Sequence, residues 1–219
     1  MTYGQILWGI FEGFRVTGLV TVLGLAYAIP FAFIFGILQH IATGWKGAPV
    51  TIFIEFWRSS PVIVLLFAFY YTLPLFGVTL SALSVAAMVL GMNIGGYGSQ
   101  AVRAALQALD RGQTEAGLAI GLTRSQVLAY VELPQAIMAM VPTFMNQFIQ
   151  LIKSTALVSL ITLTDMTYRA KEISQIVFDP VAVYSALLLA YLIICYPVTV
   201  MGRHIEKRVT KGRRASDAI

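Results

Sequence analysis

Polar side chains recur along one otherwise apolar stretch, residues 133–160, at the three- and four-residue spacing of a helical face. Hydroxyl, amide and ammonium groups in this arrangement can line the path of a small polar solute, or they can hydrogen-bond to a neighbouring helix. The sequence favours neither interpretation over the other. Because polar groups are costly in a bilayer unless they are paired or hydrated, we expect them to face the interior of a helix bundle. We call this set the polar stripe, and its members are Thr143, Asn146, Gln147, Gln150, Lys153 and Ser154.

The rest of the chain offers no catalytic constellation. Carboxylates are few and scattered, and neither a Ser–His–Asp arrangement nor a G-x-x-x-x-G-K-[ST] phosphate loop is present. His40 and His204 lie far apart with no Cys or His cluster, and the single Cys195 lies in an apolar run, so we expect no metal site. We therefore expect no enzyme and no bound cofactor, and any energy must come from a partner or an ion gradient.

The composition predicts that a membrane surrounds the polar stripe. Of the 219 residues, 58% are hydrophobic and only 11% are charged, whereas soluble domains average about 25% charged residues. We predict an all-α integral membrane protein whose residues 1–219 form a single transmembrane domain. Five apolar stretches are long enough to cross about 30 Å of hydrocarbon. The predicted spans are 16–38, 60–80, 81–102, 133–160 and 180–202.

The segments between and within these spans carry further expectations. Residues 1–15 are predicted to form an interfacial helix, and residues 39–58 and 161–179 to form polar loops. The third span is rich in small residues, which favours tight helix packing over a solute path. Asn93 and Gln100 within that span nevertheless remain candidates for lining a path.

The basic residues predict the orientation. With the N-terminus outside and the C-terminus in the cytoplasm, eleven of the fifteen Lys and Arg residues are cytoplasmic, as the positive-inside rule requires. The formal net charge of +5 then reflects cationic cytoplasmic ends, not nucleic-acid binding. The eleven are Lys46, Arg58, Arg103, Arg111, Arg124, Arg203, Lys207, Arg208, Lys211, Arg213 and Arg214.

A polar island, residues 115–134, follows the third span and is predicted to be a helix, a glycine turn and a second helix on the cytoplasmic side. Asp110 or Thr114 can cap the first helix, and Glu115 is expected in its first turn, where the helix dipole favours an anion. Gly121 is placed to end that helix in a left-handed conformation. The island is either a docking element or a helix resting on the lipid headgroups.

The start and end of the second helix of the island also have sequence signals. Thr123 or Ser125 can cap its start, and Pro134 stands where the helix must bend or restart.

The island resembles the EAA signature of ABC-importer permeases. That pattern is E-A-A, a glycine five residues after the first alanine, and an L-P pair about a dozen residues later. Gly117 stands where the second alanine is usual. Residues 56–74, 103–126 and 133–161 are similar to segments of the polar amino-acid uptake permeases in the same order, so the resemblance covers more than half of the chain. The matching and neighbouring island residues are Glu115, Ala116, Gly121, Leu122, Arg124, Leu133 and Pro134.

This resemblance implies a function and a set of partners. The island would be a coupling helix, between the third and fourth spans, that docks on a cytoplasmic ABC ATPase dimer, and ATP with Mg²⁺ would bind to that partner. A second permease, identical or homologous, would complete the path through the bilayer lipid, and an extracytoplasmic solute-binding protein would deliver a polar amino acid or similar small zwitterion. The location implied is a bacterial inner membrane.

Two positions depart from the family pattern and bear on the solute. A glutamate is common where this chain has Gln100, and an aspartate is common at Ser154. The absence of both carboxylates weakens the case for a cationic solute, because a buried carboxylate is the usual partner of a cationic group. Lys153 could instead bind a solute carboxylate, or its ammonium could simply extend to the interface.

Two other classes of protein remain as alternatives. An ion-coupled secondary transporter or channel subunit would need an intramembrane acid, and none of the five predicted spans contains Asp or Glu. A membrane scaffold that transports nothing would explain the polar stripe only as hydrogen bonding between helices.

Overall fold

The computed structural model describes residues 1–42 and 44–216, with side chains as far as Lys207. Regular structure in this part of the chain is helical throughout, which confirms the all-α prediction. The side chains of Arg208, Lys211, Arg213 and Arg214, used above for the orientation, lie outside the described residues. The helices are α1 (Tyr3–Phe11), α2 (Phe14–Ile41), α3 (Ala48–Ser59), α4 (Val62–Phe67), α5 (Ala82–Gln107), α6 (Arg111–Ala119), α7 (Arg124–Val127), α8 (Leu133–Ser154), α9 (Met166–Val177) and α10 (Pro180–Ser216).

Helices α2 and α5 form the most extensive pair and the centre of the bundle. Glycines allow their backbones to approach closely: a Cβ on Gly91 would lie 2.4 Å from the carbonyl oxygen of Gly24, and one on Gly95 would lie 2.8 Å from the Cβ of Phe31. Small residues at such crossings give van der Waals contact that lipid tails cannot replace. The packing interpretation of the third span is therefore confirmed.

The second crossing differs from the prediction. Residues 39–58 are not a loop, because α3 occupies their second half and buries Ile54 and Trp57 one helical turn apart. Pro61 disfavours helical dihedrals at Ser60, whose ψ is 140°. The chain therefore breaks there, and the segments Gly44–Ser59 and Val62–Phe76 meet at 96°. The described residues contain four helices able to cross a membrane, or five if this bent pair counts as one crossing.

The revised second crossing also contains an acid. Glu55 lies in α3, so the bent pair, if counted as one crossing, contains an acid that the predicted span 60–80 lacks. Its carboxylate pairs with Arg58 at 2.8 Å and accepts a hydrogen bond from Ser59 at 2.8 Å. A carboxylate held in this way is not a free group for ion coupling.

Residues 161–179 are not a loop, because α9 occupies most of them, and α9 packs against the N-terminal segment, which neither prediction anticipated. Helix α1 contacts α9 and α10 and buries Ile6 and Ile10 between them, so it is more than an interfacial helix. Asp165 caps α9 by accepting from the backbone N–H groups of Thr167 at 3.1 Å and Tyr168 at 2.9 Å. Burial raises the pKa of Asp165, and these hydrogen bonds oppose that rise.

The fourth crossing is joined directly to the polar island. Helix α7, a π turn over Leu128–Glu132, α8 and a 3-10 turn over Thr155–Ile161 continue as one helical length from Arg124 to Ile161. The π turn accommodates Pro134. This proline lacks an N–H and would clash with the carbonyl one α-turn before it in a regular α-helix. The predicted restart is therefore a local widening of the helix, after which Pro134 lies in the first turn of α8.

Candidate functional site

The polar island folds as a helical hairpin with well-defined ends, and we call residues 111–132 the hairpin. Asp110 starts α6 by accepting from the N–H of Gly112 at 2.8 Å. Gly121 ends it with φ of +89°. The N–H groups of Gly121 and Leu122 bond to the carbonyls of Leu118 and Gly117, which satisfies two orphan carbonyls in a Schellman motif.

Some local predictions for the hairpin were wrong. Thr114 does not cap α6, because Asp110 does, and Glu115 lies in the second turn of α6, not the first. Between the two candidate caps for the next helix, Thr123 is the one used, and it forms a capping box with Gln126.

A buried carboxylate fastens the hairpin to the fourth crossing. Glu132 is 3% exposed and accepts from the hydroxyl of Thr114, on α6, at 2.6 Å. The same oxygen forms an ion pair with Arg124, at the start of α7. Charge-assisted hydrogen bonds of this kind are about twice as strong as neutral ones. Glu132 thus holds both arms of the hairpin against the base of α8.

Gly117 completes the contact between the two arms. A Cβ there would lie 2.8 Å from a methyl carbon of Val127, which is fully buried. The position at which this chain departs from the E-A-A pattern is therefore a point of close packing. An alanine at Gly117 would require Val127 to shift.

The end of the hairpin presents an open surface. Glu115 and Ala116 are exposed, and so are Leu118, at 46%, and Ile120, at 79%. Within the described residues, the side chain of Glu115 makes no hydrogen bond. We call these exposed residues of α6 and its turn the hairpin tip, and exposed apolar side chains beside a carboxylate are typical of a docking site for another protein.

The polar stripe lies on a face of α8 that the other described residues leave largely uncovered. Thr143, Asn146, Gln150 and Lys153 are exposed. The expectation that the stripe faces the interior of this chain's own bundle is therefore wrong for most of its members. Two members, Gln147 and Ser154, are half-buried, and Gln147 borders a small gap against α2 and α5. The exposed members could hydrogen-bond only to a solute, to water or to another subunit.

The two path candidates in α5 are hydrogen-bonded to neighbouring helices of the same chain. Asn93 is 8% exposed and donates to the carbonyl of Trp57, on α3, at 2.7 Å. Gln100 donates to Gln39, on α2, at 2.8 Å, and Gln39 donates in turn to Thr51, on α3, at 3.0 Å. These groups join α2, α3 and α5, which is the interhelical role that the sequence left open.

Sequence reasoning missed the contacts that Glu132, Thr114 and Gln39 make with residues of other helices. The Thr114–Glu132 contact joins residues eighteen positions apart, and the Gln39–Gln100 contact joins residues sixty-one apart, so no local pattern shows them. An available signal was the charge of Glu132 directly before an apolar span, where an acid needs a partner.

A multi-span helical bundle, with an exposed polar face and a capped hairpin before that face, is consistent with a transporter's membrane subunit. Residues 28–211 match the family described as "Binding-protein-dependent transport system inner membrane component", and the chain belongs to this family of ABC transporter permeases. Its members are membrane subunits and not themselves enzymes.

Curated relatives are amino-acid permeases. The chain is 34% identical to a "Probable amino-acid ABC transporter permease protein" of Sinorhizobium fredii, covering 97% of this chain and 92% of the relative. It is 32% identical to the L-cystine transport system permease protein of Bacillus subtilis, with coverages of 94% and 89%. It is also 32% identical to the glutamine transport system permease protein of Escherichia coli, with coverages of 91% and 92%. The resemblance to amino-acid ABC permeases that the sequence predicted is therefore confirmed.

Solved structures agree on the fold. A structure titled "Crystal structure of an amino acid ABC transporter with histidines" superposes with a TM-score of 0.79 at 26% identity, covering 94% of this chain and 95% of that chain. An inward-facing methionine ABC transporter gives the same TM-score at 21% identity, with coverages of 95% and 99%, and shows the fold alone.

Proposed function

We propose that this chain is the permease subunit of a binding-protein-dependent importer for a polar amino acid or similar small zwitterion. The observation that carries the proposal is the hairpin, which is exposed at its tip and fastened by Glu132 to the helix that bears the polar stripe. In this assignment residues 1–219 are one permease domain in a bacterial inner membrane, with the N-terminus outside and the C-terminus in the cytoplasm.

The ATPase partner would dock on the tip of the hairpin. Glu115, Leu118 and Ile120 give that tip both charge and exposed apolar surface, so a groove in a cytoplasmic ABC ATPase dimer is a suitable receptor. ATP and Mg²⁺ would bind to the ATPase subunits, and this chain would transmit their motion. Arg124 cannot be assigned to the ATPase alone, because its guanidinium already pairs with Glu132.

A second permease would cover the polar stripe. Exposed hydroxyl and amide groups at bilayer depth are costly against lipid, so an uncovered Asn146 or Gln150 favours a protein or water-filled neighbour. Two permeases, identical or homologous, facing each other across such stripes would enclose a polar path between them. An extracytoplasmic solute-binding protein would load that path.

The same contacts bear on the class of solute. Gln100 is bonded to Gln39, and no carboxylate stands at position 100 or at position 154. Lys153, exposed at the end of α8, is the charged member of the stripe. A solute carboxylate is therefore a better match for this path than a cationic side chain.

The test is reconstitution of the permease with its candidate ATPase and binding protein in liposomes. We expect ATP hydrolysis to rise when the binding protein carries its amino acid, and we expect Glu115→Gln to lower that stimulation because Glu115 lies at the docking tip. Uptake driven by an ion gradient in the absence of ATP would refute the proposal and support the ion-coupled alternative.

A further inference from the structure

A cavity of about 460 Å³ opens where α2 ends, between the start of α3 and the end of α5. It is separate from the polar stripe on α8 and from the hairpin tip. Its polar walls come from all three helices, and no acidic residue is among the described residues that line it. The polar lining consists of Gln39, His40, Thr51, Arg103 and Gln107.

Two nitrogen atoms in the wall of this cavity lack hydrogen-bond partners among the described residues. The Nε of Arg103 and the Nδ1 of His40 are buried, and neither has a hydrogen-bond partner in the described part of the chain. The carboxamide oxygen of Gln39 is already used, because it accepts from Gln100 at 2.8 Å. The carboxylate of Glu132 acts on His40 electrostatically, but it is bound to Thr114 and Arg124 and does not line the cavity. A guanidinium and an imidazole with no carboxylate in the described cavity wall match an anionic group that has several oxygen acceptors.

The entrance of the cavity is amphipathic. Trp45, which is 83% exposed, and Lys46 lie on the 3-10 turn Gly44–Gly47 that borders it. Ile52 lines the cavity and is exposed, and so is Ile41 at the end of α2. Tryptophan and lysine are typical of the membrane interface, and exposed isoleucines beside them suit acyl chains. A free phosphate ion would leave this apolar rim unused.

We propose that this cavity binds the phosphate group of an anionic phospholipid, of which phosphatidylglycerol is the simplest. The phosphate oxygens would accept from Arg103 and His40, the acyl chains would lie along Ile41 and Ile52, and Trp45 would mark the headgroup level. Basic pockets between membrane helices on the cytoplasmic side hold such headgroups. The inference uses the membrane orientation proposed above, and it does not depend on the solute or on coupling to an ATPase.

The experiment is native mass spectrometry of the purified full-length chain titrated with phosphatidylglycerol. Phosphatidylcholine with the same acyl chains and inorganic phosphate form the other two arms. We expect phosphatidylglycerol to bind in preference, and Arg103→Gln to weaken that binding about fivefold, the effect of about one basic residue near an anionic surface. Arg103→Lys should restore most of the affinity, which shows that a loss in Arg103→Gln reflects charge and not misfolding.

Arg203 provides the matched control, since it is an exposed basic residue within α10 and is not among the residues that line the cavity. Arg203→Gln should leave the affinity for phosphatidylglycerol unchanged. Equal weakening by Arg203→Gln and Arg103→Gln would mean that only surface charge attracts the lipid, and it would overturn the proposal. Equal binding of the two lipids, or full competition by inorganic phosphate, would overturn it as well. Because lipid binding is measured directly, failure of this site and failure of the transport function remain distinguishable.

Discussion

Removing the Glu132 carboxylate is the sharpest test of how the hairpin is held. Glu132→Ala deletes the acceptor for Thr114 and the partner of Arg124. A hydrogen bond to a charged group contributes about 1.5–3 kcal/mol, whereas the pair with half-exposed Arg124 adds at most about 1 kcal/mol because solvent screens it. Taking the Thr114 bond alone, we expect the equilibrium for opening α6 to rise by about tenfold to about a hundredfold.

Hydrogen–deuterium exchange of the purified protein measures this opening directly. Backbone amides of α6 should exchange faster in Glu132→Ala by that factor, while those of α5 should keep the wild-type rate because its packing on α2 is untouched. Thr114→Val should reproduce most of the effect, since it removes the donor on α6 and leaves the Arg124 pair in place.

Glu115→Gln is the matched control, because it removes a carboxylate from the same helix where that carboxylate makes no hydrogen bond within the described residues. Its α6 amides should exchange at the wild-type rate, while stimulation of the partner ATPase falls. Wild-type exchange in Glu132→Ala would refute the reasoning, since it would mean that packing of Gly117 on Val127 alone holds the hairpin closed.

The remaining predictions concern backbone, packing and solute binding. Gly121→Ala should destabilise the turn after α6 by about 1–2 kcal/mol, because its backbone is left-handed and a Cβ there meets nothing within 4 Å. Hydrogen–deuterium exchange of the α6 amides measures this cost, and Gly121→Asn should cost less. Equal costs for the two substitutions would contradict the argument. Gly91→Leu should lower the free energy of unfolding by about 1–3 kcal/mol through overpacking, which thermal melting in detergent would show as a lower melting temperature. Gly18→Leu should leave the melting temperature unchanged, because a Cβ at Gly18 meets nothing within 4 Å. Lys153→Met should reduce uptake or alter the range of solutes, whereas Lys153→Arg should retain it; unchanged uptake and range in Lys153→Met would rule out binding of a solute carboxylate.

Much of the fold followed from the sequence because helix-length apolar runs and small-residue crossings are local signals. The third span is the clearest case, since its glycines predict tight packing and form the close contacts with α2. The prediction of the second crossing was wrong because α3 is amphipathic. Its charged residues Glu55 and Arg58 are typical of a polar loop. The signal that identifies it is Pro49 near its start and Pro61 just after its end.

The candidate site was predictable in its chain position and not in its contacts. The left-handed turn at Gly121 follows from a glycine after an amphipathic run, and the structure has it. The role of Glu132 depends on a partner from another helix, and so does the engagement of Gln100 by Gln39. The exposure of Asn146 and Gln150 likewise depends on which faces of α8 the other helices cover, which spacing along one helix cannot show.

The continuous helical length from Arg124 to Ile161 joins the second arm of the hairpin to the polar stripe. Thirty-eight residues at 1.5 Å each span about 57 Å, so a tilt of about 5° at one end displaces the other by about 5 Å. In the proposed function, a displacement of the end near Arg124 would therefore reach the polar stripe through one continuous helix. The π turn at Leu128–Glu132 is a local departure from α-helical geometry in that length, so its stiffness would affect how much of such a displacement reaches the polar stripe.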